Sequence, residues 1–378
     1  MRDEITLAPQ GFPDGFGRSS DAERDAALLL CGVQGSSPGK LHALAWREGS
    51  ASACVRSILG GRAGTVSDRA YLAAVDPDDV HRALERAQAR FVVPGDAEYW
   101  PAFTRLADPP VAVFARGGRL RLGEERIAIV GSRRPSPIGR DVTRDLARGV
   151  ALHGLVVVSG GAIGIDAAAH EGCLDVGGRT VVVLGSGIDR LYPSSNRTLF
   201  EETLSAGGTV LSEYPPGVPA EPRRFPARNR LIAALSRGVV IVEGTRESGT
   251  RITADHAIDL GLDVFAVPGN VTSPLAYTPL ELIRDGATMI RGAHDLLGDL
   301  GFDPGAVPAE GPEGLPEDER RALDTLMTPM LPESVAKAAS MTVADAIAAL
   351  IRLEIRGIVR GVGGRFERTM LAAAVGDG

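Results

Sequence analysis

The chain has 378 residues, 44% hydrophobic and 24% charged, with a formal net charge of -7. That length calls for two or three domains with substantial cores, and the mild acidity excludes binding of polyanions through a global basic surplus, leaving only a local basic site. Cys31, Cys54 and Cys173 are widely spaced and odd in number, which fits reduced thiols and not a disulfide framework or zinc site. The acidic N-terminus and the lack of any run of about 18 apolar residues lead to the expectation of a soluble, cytoplasmic chain without a membrane partner.

Residues 21–60 carry AERDAALLL and LHALAW between glycine-rich breaks, a pattern of short helices joined by turns. Residues 66–92 read as two more, with Ala73, Val80, Leu84 and Ala87 near helical spacing. Residues 1–98 are thus expected to form a small helical domain of the SAM or helix-hairpin-helix kind. Within it GSSPGK, Gly35 to Lys40, is one residue short of a Walker A motif, lacks its Ser/Thr and follows no strand, so it is rejected as a phosphate loop.

From Tyr99 the grammar changes. Pro109 and Pro110 stop the helices, and VAVFA opens a series of short apolar runs: Ile127–Val130, Val156–Val158, Val181–Leu184, Thr209–Leu211, Val239–Val242 and Val264–Val267. Alanine-rich, helix-length segments separate several of them. Mostly apolar strands suit a sheet covered on both faces, so residues 99–301 are expected to be a Rossmann-like, doubly wound α/β domain with its ligands at the strand carboxyl ends.

Those ends hold the unusual residues. Gly131, Ser132 and Arg133 follow the first run; Ser159, Gly160 and Gly161 follow the second; GSGIDRLYP follows the third; EGTRESGTRITA, with Ser248 and Thr250, follows Val242. A Gly-rich turn between strand and helix presents amides and a helix dipole to an anion, phosphate above all. Asp166 is either part of such a site or the N-cap of the next helix. No G-x-G-x-x-G fingerprint follows the first strand, which argues against NAD. RRFPARNRLIAALSR, Arg223 to Arg237, places Arg224, Arg228 and Arg230 around Phe225, with Asn229 at an expected helix start and no acidic residue among them. Guanidiniums paired with phosphates and a ring stacked on a base would suit a single strand; a solvated helix face with Phe225 in the core is the alternative.

IVGSRRPSPIG, SGGAIGIDAAAH, LGSGIDRLYP, FPARNRLIAALS, VVIVEGTRESGTRITADHA and VFAVPGN occur in this order and resemble the DNA-processing protein A family (DprA, also called Smf) from Tyr99 to Leu297. The resemblance implies a non-enzymatic protein that binds single-stranded DNA and loads the RecA recombinase during natural transformation. It implies no cofactor, a homodimer, and single-strand-binding protein as a further partner. It assigns Arg133 and Arg228 to phosphates, Phe225 to a base and the Gly160 and Gly161 amides to an anion. The chain departs from the family in reading SGTRITA, with Arg251 in a usually apolar slot, and SPLAYTPLELIRDGA after PGN.

Asp166 and His170 lie four apart but lack a third metal ligand, and Ser159 lacks a nucleophile's setting. Asp189 and Tyr192 are expected to shape the third turn. Two rival functions remain open: a phosphoribohydrolase-like enzyme, although Thr253 stands where that motif has its Glu, and a nucleotide sensor. Residues 302–316 read as a Pro/Gly linker. Residues 317–378 read as a winged helix, with Gly363 and Gly364 turning the hairpin and basic Arg352 and Arg356 late in its third helix. That placement favours protein contact or weak DNA contact.

Overall fold

A computed structural model describes residues 10–302, 315–355 and 358–368. Five helices come first: α1 (Asp21–Cys31), α2 (Pro38–Glu48), α3 (Ala51–Leu59), α4 (Val66–Ala74) and α5 (Pro77–Ala87). Each begins where the sequence supplies a cap: the side chains of Ser20, Ser37, Ser50, Thr65 and Asp76 accept a first-turn N–H. Leu30, Leu44, Cys54 and Ile58 fill the core between them. Leu72 is buried on α4, whereas Ala73 is exposed. In the rejected phosphate loop, Gly35 N–H and Ser36 Oγ donate to the Asp68 carboxylate at 2.6 and 2.8 Å, so a carboxylate of α4 occupies that turn.

The central part runs β1 (Arg90–Val92), β2 (Val113–Gly117), β3 (Arg126–Val130), α6 (Pro137–Leu152), β4 (Val156–Gly160), α7 (Ile165–Leu174), β5 (Thr180–Leu184), α8 (Arg197–Ser205) and β6 (Thr209–Ser212). It continues through α9 (Arg224–Ala234), β7 (Gly238–Ile241), α10 (Thr250–Asp259), β8 (Asp263–Ala266), α11 (Tyr277–Arg284), β9 (Thr288–Met289) and α12 (Ala293–Asp299). The strand order is β1-β2-β6-β5-β4-β3-β7-β8-β9. From β6 to β9 neighbours are parallel, while β2 joins β6, and β1 joins β2, antiparallel. The sheet thus begins at Arg90, ahead of the expected boundary at Tyr99, because Arg90, Phe91 and Val92 pair with Ala115, Phe114 and Val113.

Alternation explains the apolar runs. Ala128, Val130, Val156 and Val158 pack into one core, and Ile127, Ile129 and Val157 into the core on the opposite face. Each fully buried Val or Ile contributes roughly 1.5–3 kcal/mol, so both helical layers are needed.

The last described part contains α13 (Glu317–Thr325), α14 (Pro332–Ala338), α15 (Val343–Ile355), β10 (Val359–Val362) and β11 (Arg365–Arg368). The two strands pair antiparallel around Gly363 and Gly364, at φ +58° and +79°, a backbone that glycine tolerates. Most of the expected linker and Arg356 lie outside the described residues. No single described helix is long and apolar enough to cross a membrane.

Candidate nucleic-acid interface

The chain leaves β3 through α6 toward β4 and leaves β7 through α10 toward β8, so it runs in opposite directions along the sheet from two adjacent parallel strands. A crevice opens at such a switch point, outside the strand carboxyl ends. An anion would ordinarily sit at the start of the first helix. Here that place is taken: Ser136 N–H and Oγ donate to Glu243 Oε2 and Oε1 at 2.9 and 2.6 Å. Gly131 is needed because a Cβ would lie 2.8 Å from Ile165 Cγ1 and 3.0 Å from the Glu243 carbonyl.

The β4–α7 turn differs from its sequence reading at two residues. Ser159 belongs to β4, is fully buried, and donates from Oγ to the Ile129 carbonyl at 2.6 Å, so its hydroxyl serves the sheet. Asp166 is not the N-cap of α7: Gly164 is, at φ +91°, and its Cα approaches so closely that a Cβ would stand 2.4 Å from the Ser132 carbonyl. The Asp166 carboxylate instead accepts from Ala162 N–H at 3.3 Å and faces the Arg228 guanidinium at 3.9 Å. Burial pushes its carboxyl above the usual range despite that guanidinium. Among the described residues, the N–H groups of Ile163 and Gly164 make no hydrogen bond. Of this turn Ile163 is exposed, whereas Gly161 and Gly164 are buried, the Cα of Gly164 lying against the Ser132 and Arg133 carbonyls.

The arginines of α9 separate by depth. The helix already begins at Arg224, so Asn229 is internal to it and does not start it; its Nδ2 reaches the Gly249 carbonyl at 3.4 Å. Arg224 is buried, donates to Pro219 O and Gln34 Oε1, and lies 5.1 Å over the Tyr214 ring. Arg228 is buried beneath Gly160, where its Nη1 donates to the Val183 carbonyl and its Nε to Asn229 Oδ1; burial lowers its pKa. Arg230 binds Glu213 through both Nη atoms and Asp108 through Nε. All three predicted phosphate ligands on this helix have their guanidiniums committed inside the protein.

Above them lies an open layer. The exposed Arg133 guanidinium sits 5.1 Å from the Phe225 ring, and the Tyr192 ring, half exposed, lies 5.6 Å from Phe225 at 34°. Gly185 makes room underneath, because a Cβ there would meet Phe225 Cδ1 at 2.9 Å. Arg134 and Arg140 are exposed and make no ion pair among the described residues. The structure brings Arg133 and Phe225 together and sets beside them Tyr192, to which the sequence gave only a shaping role. An aromatic in the third turn was the available signal. Asp189 ties that turn to the loop after β6, accepting from Gly217 N–H at 2.8 Å.

Ser248 and Thr250 satisfy each other at 2.6 Å, and Thr250 N–H donates to Ser248 Oγ at 3.2 Å, just ahead of α10, whose N-cap is Gly249. Arg246 stands 5.4 Å over Tyr277. The two departures from the family pattern meet in space: Arg251 reaches Glu281 and Asp285 of the altered segment at 3.2 and 3.1 Å. The unusual cation therefore has its carboxylates built in. No group of three metal-ligating side chains occurs among the described residues.

A family model described as DNA recombination-mediator protein A matches residues 90–301, starting at the first residue of β1. Protein Smf of Synechocystis sp. is 34% identical over 325 residues, covering 75% of this chain and 81% of its own length. The solved DNA processing protein A from Streptococcus pneumoniae is 29% identical at a TM-score of 0.58, covering 75% of this chain and 98% of its own. The same protein from Helicobacter pylori, reported for its single-stranded DNA binding mode, is 31% identical at a TM-score of 0.50, covering 56% and 95%.

Proposed function

The chain belongs to the DNA recombination-mediator protein A family, and from that premise we propose that it binds single-stranded DNA across the open layer at the switch point and mediates recombination without catalysing a reaction. One observation carries the reading: the exposed Arg133 guanidinium stacked on Phe225 beside the Tyr192 ring. A ring offers every base a stacking face, and a guanidinium beside it pairs with the adjoining phosphate. The Ile163 amide, in the exposed part of the β4–α7 turn, supplies a second phosphate contact. The likeness to the Helicobacter pylori protein, whose single-stranded DNA binding mode is reported, supports the same reading. The nucleotide-sensor reading is opposed by Glu243, which occupies the place a mononucleotide phosphate would take in front of α6. The enzyme reading lacks its motif's acid, the buried Thr253 standing where that motif has its Glu.

Fluorescence anisotropy of a labelled single strand over a salt series, with duplex as competitor, tests it. Phe225→Ala is expected to lose about 1–3 kcal/mol of binding. Arg133→Ala is expected to weaken binding and flatten the salt slope by about 0.7, the counterion release of one single-strand phosphate contact. Equal binding by wild type and both variants would sink the reading.

The finer roles follow as part of the proposal. The strand is handed to RecA, displacing single-strand-binding protein, by two copies of the chain whose paired interfaces lengthen the track. RecA ATPase on a coated strand is expected to start sooner with this protein present, and light scattering on the same samples to report dimers. No acceleration, or monomers alone, would remove the respective step. We read the three C-terminal helices and hairpin as a winged helix for protein or weak DNA contact, since Arg352 on its third helix is taken by Asp318 and Glu319.

A further inference from the structure

The segment ILGGRAGTVSDRA folds as the end of α3, a glycine-rich loop and the start of α4. The carbonyls that end α3 accept from the loop, with Gly60, Gly61 and Arg62 N–H donating to Arg56, Ile58 and Ser57. Two guanidiniums converge at the tip: a Cβ on Gly60 would lie 3.2 Å from Arg62 Nη1, and one on Gly61 2.7 Å from Arg69 Nη1. Arg56, Arg62 and Arg69 are all exposed, and none makes an ion pair among the described residues. Of the carboxylates nearby, Glu48 draws Arg62 at longer range than an ion pair. Glu48 accepts from Arg47 and Ser57, and the buried Asp68 from Gly35, Ser36 and Thr65.

Like charges side by side on a bare backbone turn repel unless an anion comes between them. The C-terminal dipole of α3 makes the pair tolerable in the free protein, and their exposure leaves them for a partner. The hairpin is also fixed to the interface described above. Arg224, beside Phe225, donates to Gln34 Oε1 at 2.6 Å; the next residue, Gly35, is held by Asp68, which also caps α4. The α3–α4 hairpin is thus joined through Asp68, Gly35 and Gln34 to the helix that carries Phe225.

We infer that the α3–α4 hairpin is a second contact for the nucleic-acid backbone, with Arg62 and Arg69 taking phosphates of the strand that leaves the Phe225 interface. The inference rests on that interface being the single-strand site. Gly60 and Gly61 leave the two guanidiniums room to lie over the turn, and arginine forks suit phosphate oxygens.

The test uses the full chain carrying Arg62→Ala and Arg69→Ala together, against single strands of about 6 and about 30 nucleotides, below and above the span of one small binding site. The short strand is expected to bind as to wild type. The long strand is expected to bind several-fold more weakly, with a salt slope shallower by about 1.4, two single-strand phosphate contacts. Arg62→Lys with Arg69→Lys is expected to restore the slope, which a folding defect would not allow. Arg133→Ala, run in parallel, should weaken both lengths; if it changes neither, the interface reading has failed. If Arg133→Ala weakens both lengths but the double alanine variant binds the long strand like wild type, the hairpin inference alone is overturned, and the arginines are left to an acidic protein partner. Equal losses on both lengths would overturn it too.

Discussion

Arg230→Ala is expected to cost the fold about 3–5 kcal/mol, the usual consequence of removing one partner of a buried ion pair. The side chain is 1% exposed and Glu213 7%. Nη1 and Nη2 meet Glu213 Oε2 and Oε1 at 2.9 and 2.5 Å, and Nε meets Asp108 Oδ1 at 2.9 Å. Burial alone would lower the Arg230 pKa, but the Glu213 and Asp108 carboxylates outweigh it and hold the group above its ordinary value. Removing the guanidinium leaves the Glu213 carboxylate buried after β6 without its charged partner. The loop before β2, the end of β6 and helix α9 lose their common tie. Chemical denaturation measures the loss. Arg230→Ala combined with Glu213→Ala should cost less than the sum of the single variants, because the orphaned charge is gone. If Arg230→Ala left stability unchanged and weakened single-strand binding instead, Arg230 would be a DNA ligand after all.

The same residue shows where sequence stops being legible. FPARNR announces arginines around an aromatic, yet the chain alone does not show that Glu213 and Asp108, 17 and 122 residues away, enclose Arg230. Arg228 looked like a phosphate ligand for the same reason, and its depth follows from the Val183 carbonyl and Asp166, which the sheet brings beneath Gly160. The strands were legible because both faces of the sheet are covered, so Ile127–Val130 and Val181–Leu184 had to be apolar throughout. Arg90–Val92 and Thr288–Met289 escaped notice. They are short edge strands whose pairing is decided by Phe114 and Phe265 elsewhere in the chain. Arg133 and Phe225 were legible as chemistry, whereas the 5.1 Å stacking between them required the switch point to bring the first turn against α9.

Acid is expected to weaken the fold through His170. The imidazole is fully buried at the base of the β4–α7 turn, with Nε2 3.0 Å from the Gly160 carbonyl and Nδ1 2.6 Å from Thr180 Oγ1. Burial drives its pKa down to about 4, against the pull of the Gly160 carbonyl, and the Arg228 charge pushes the same way as burial. An unfolded histidine titrates near 6.5. Between those values the unfolded chain holds a proton that the folded chain refuses, so stability falls as pH drops. The contribution is complete above about 6.5 and gone by about 4, a loss of about 3 kcal/mol at 1.36 per unit. Asp166 acts with the opposite sign: its raised folded pKa makes the folded chain take up that proton first, and it offsets part of the loss at the acid end. The difference between wild type and His170→Asn isolates the imidazole from the other carboxylates. The variant should be less stable at neutral pH, having lost a fitted ring, and its urea midpoint should change less between about pH 7 and pH 4.5. Parallel profiles would mean that His170 takes its proton without unfolding the chain. In that case the Gly160 turn, and the neighbouring Ile163 and Gly164 amides with it, would rest on a charged imidazolium shared between Gly160 and Thr180.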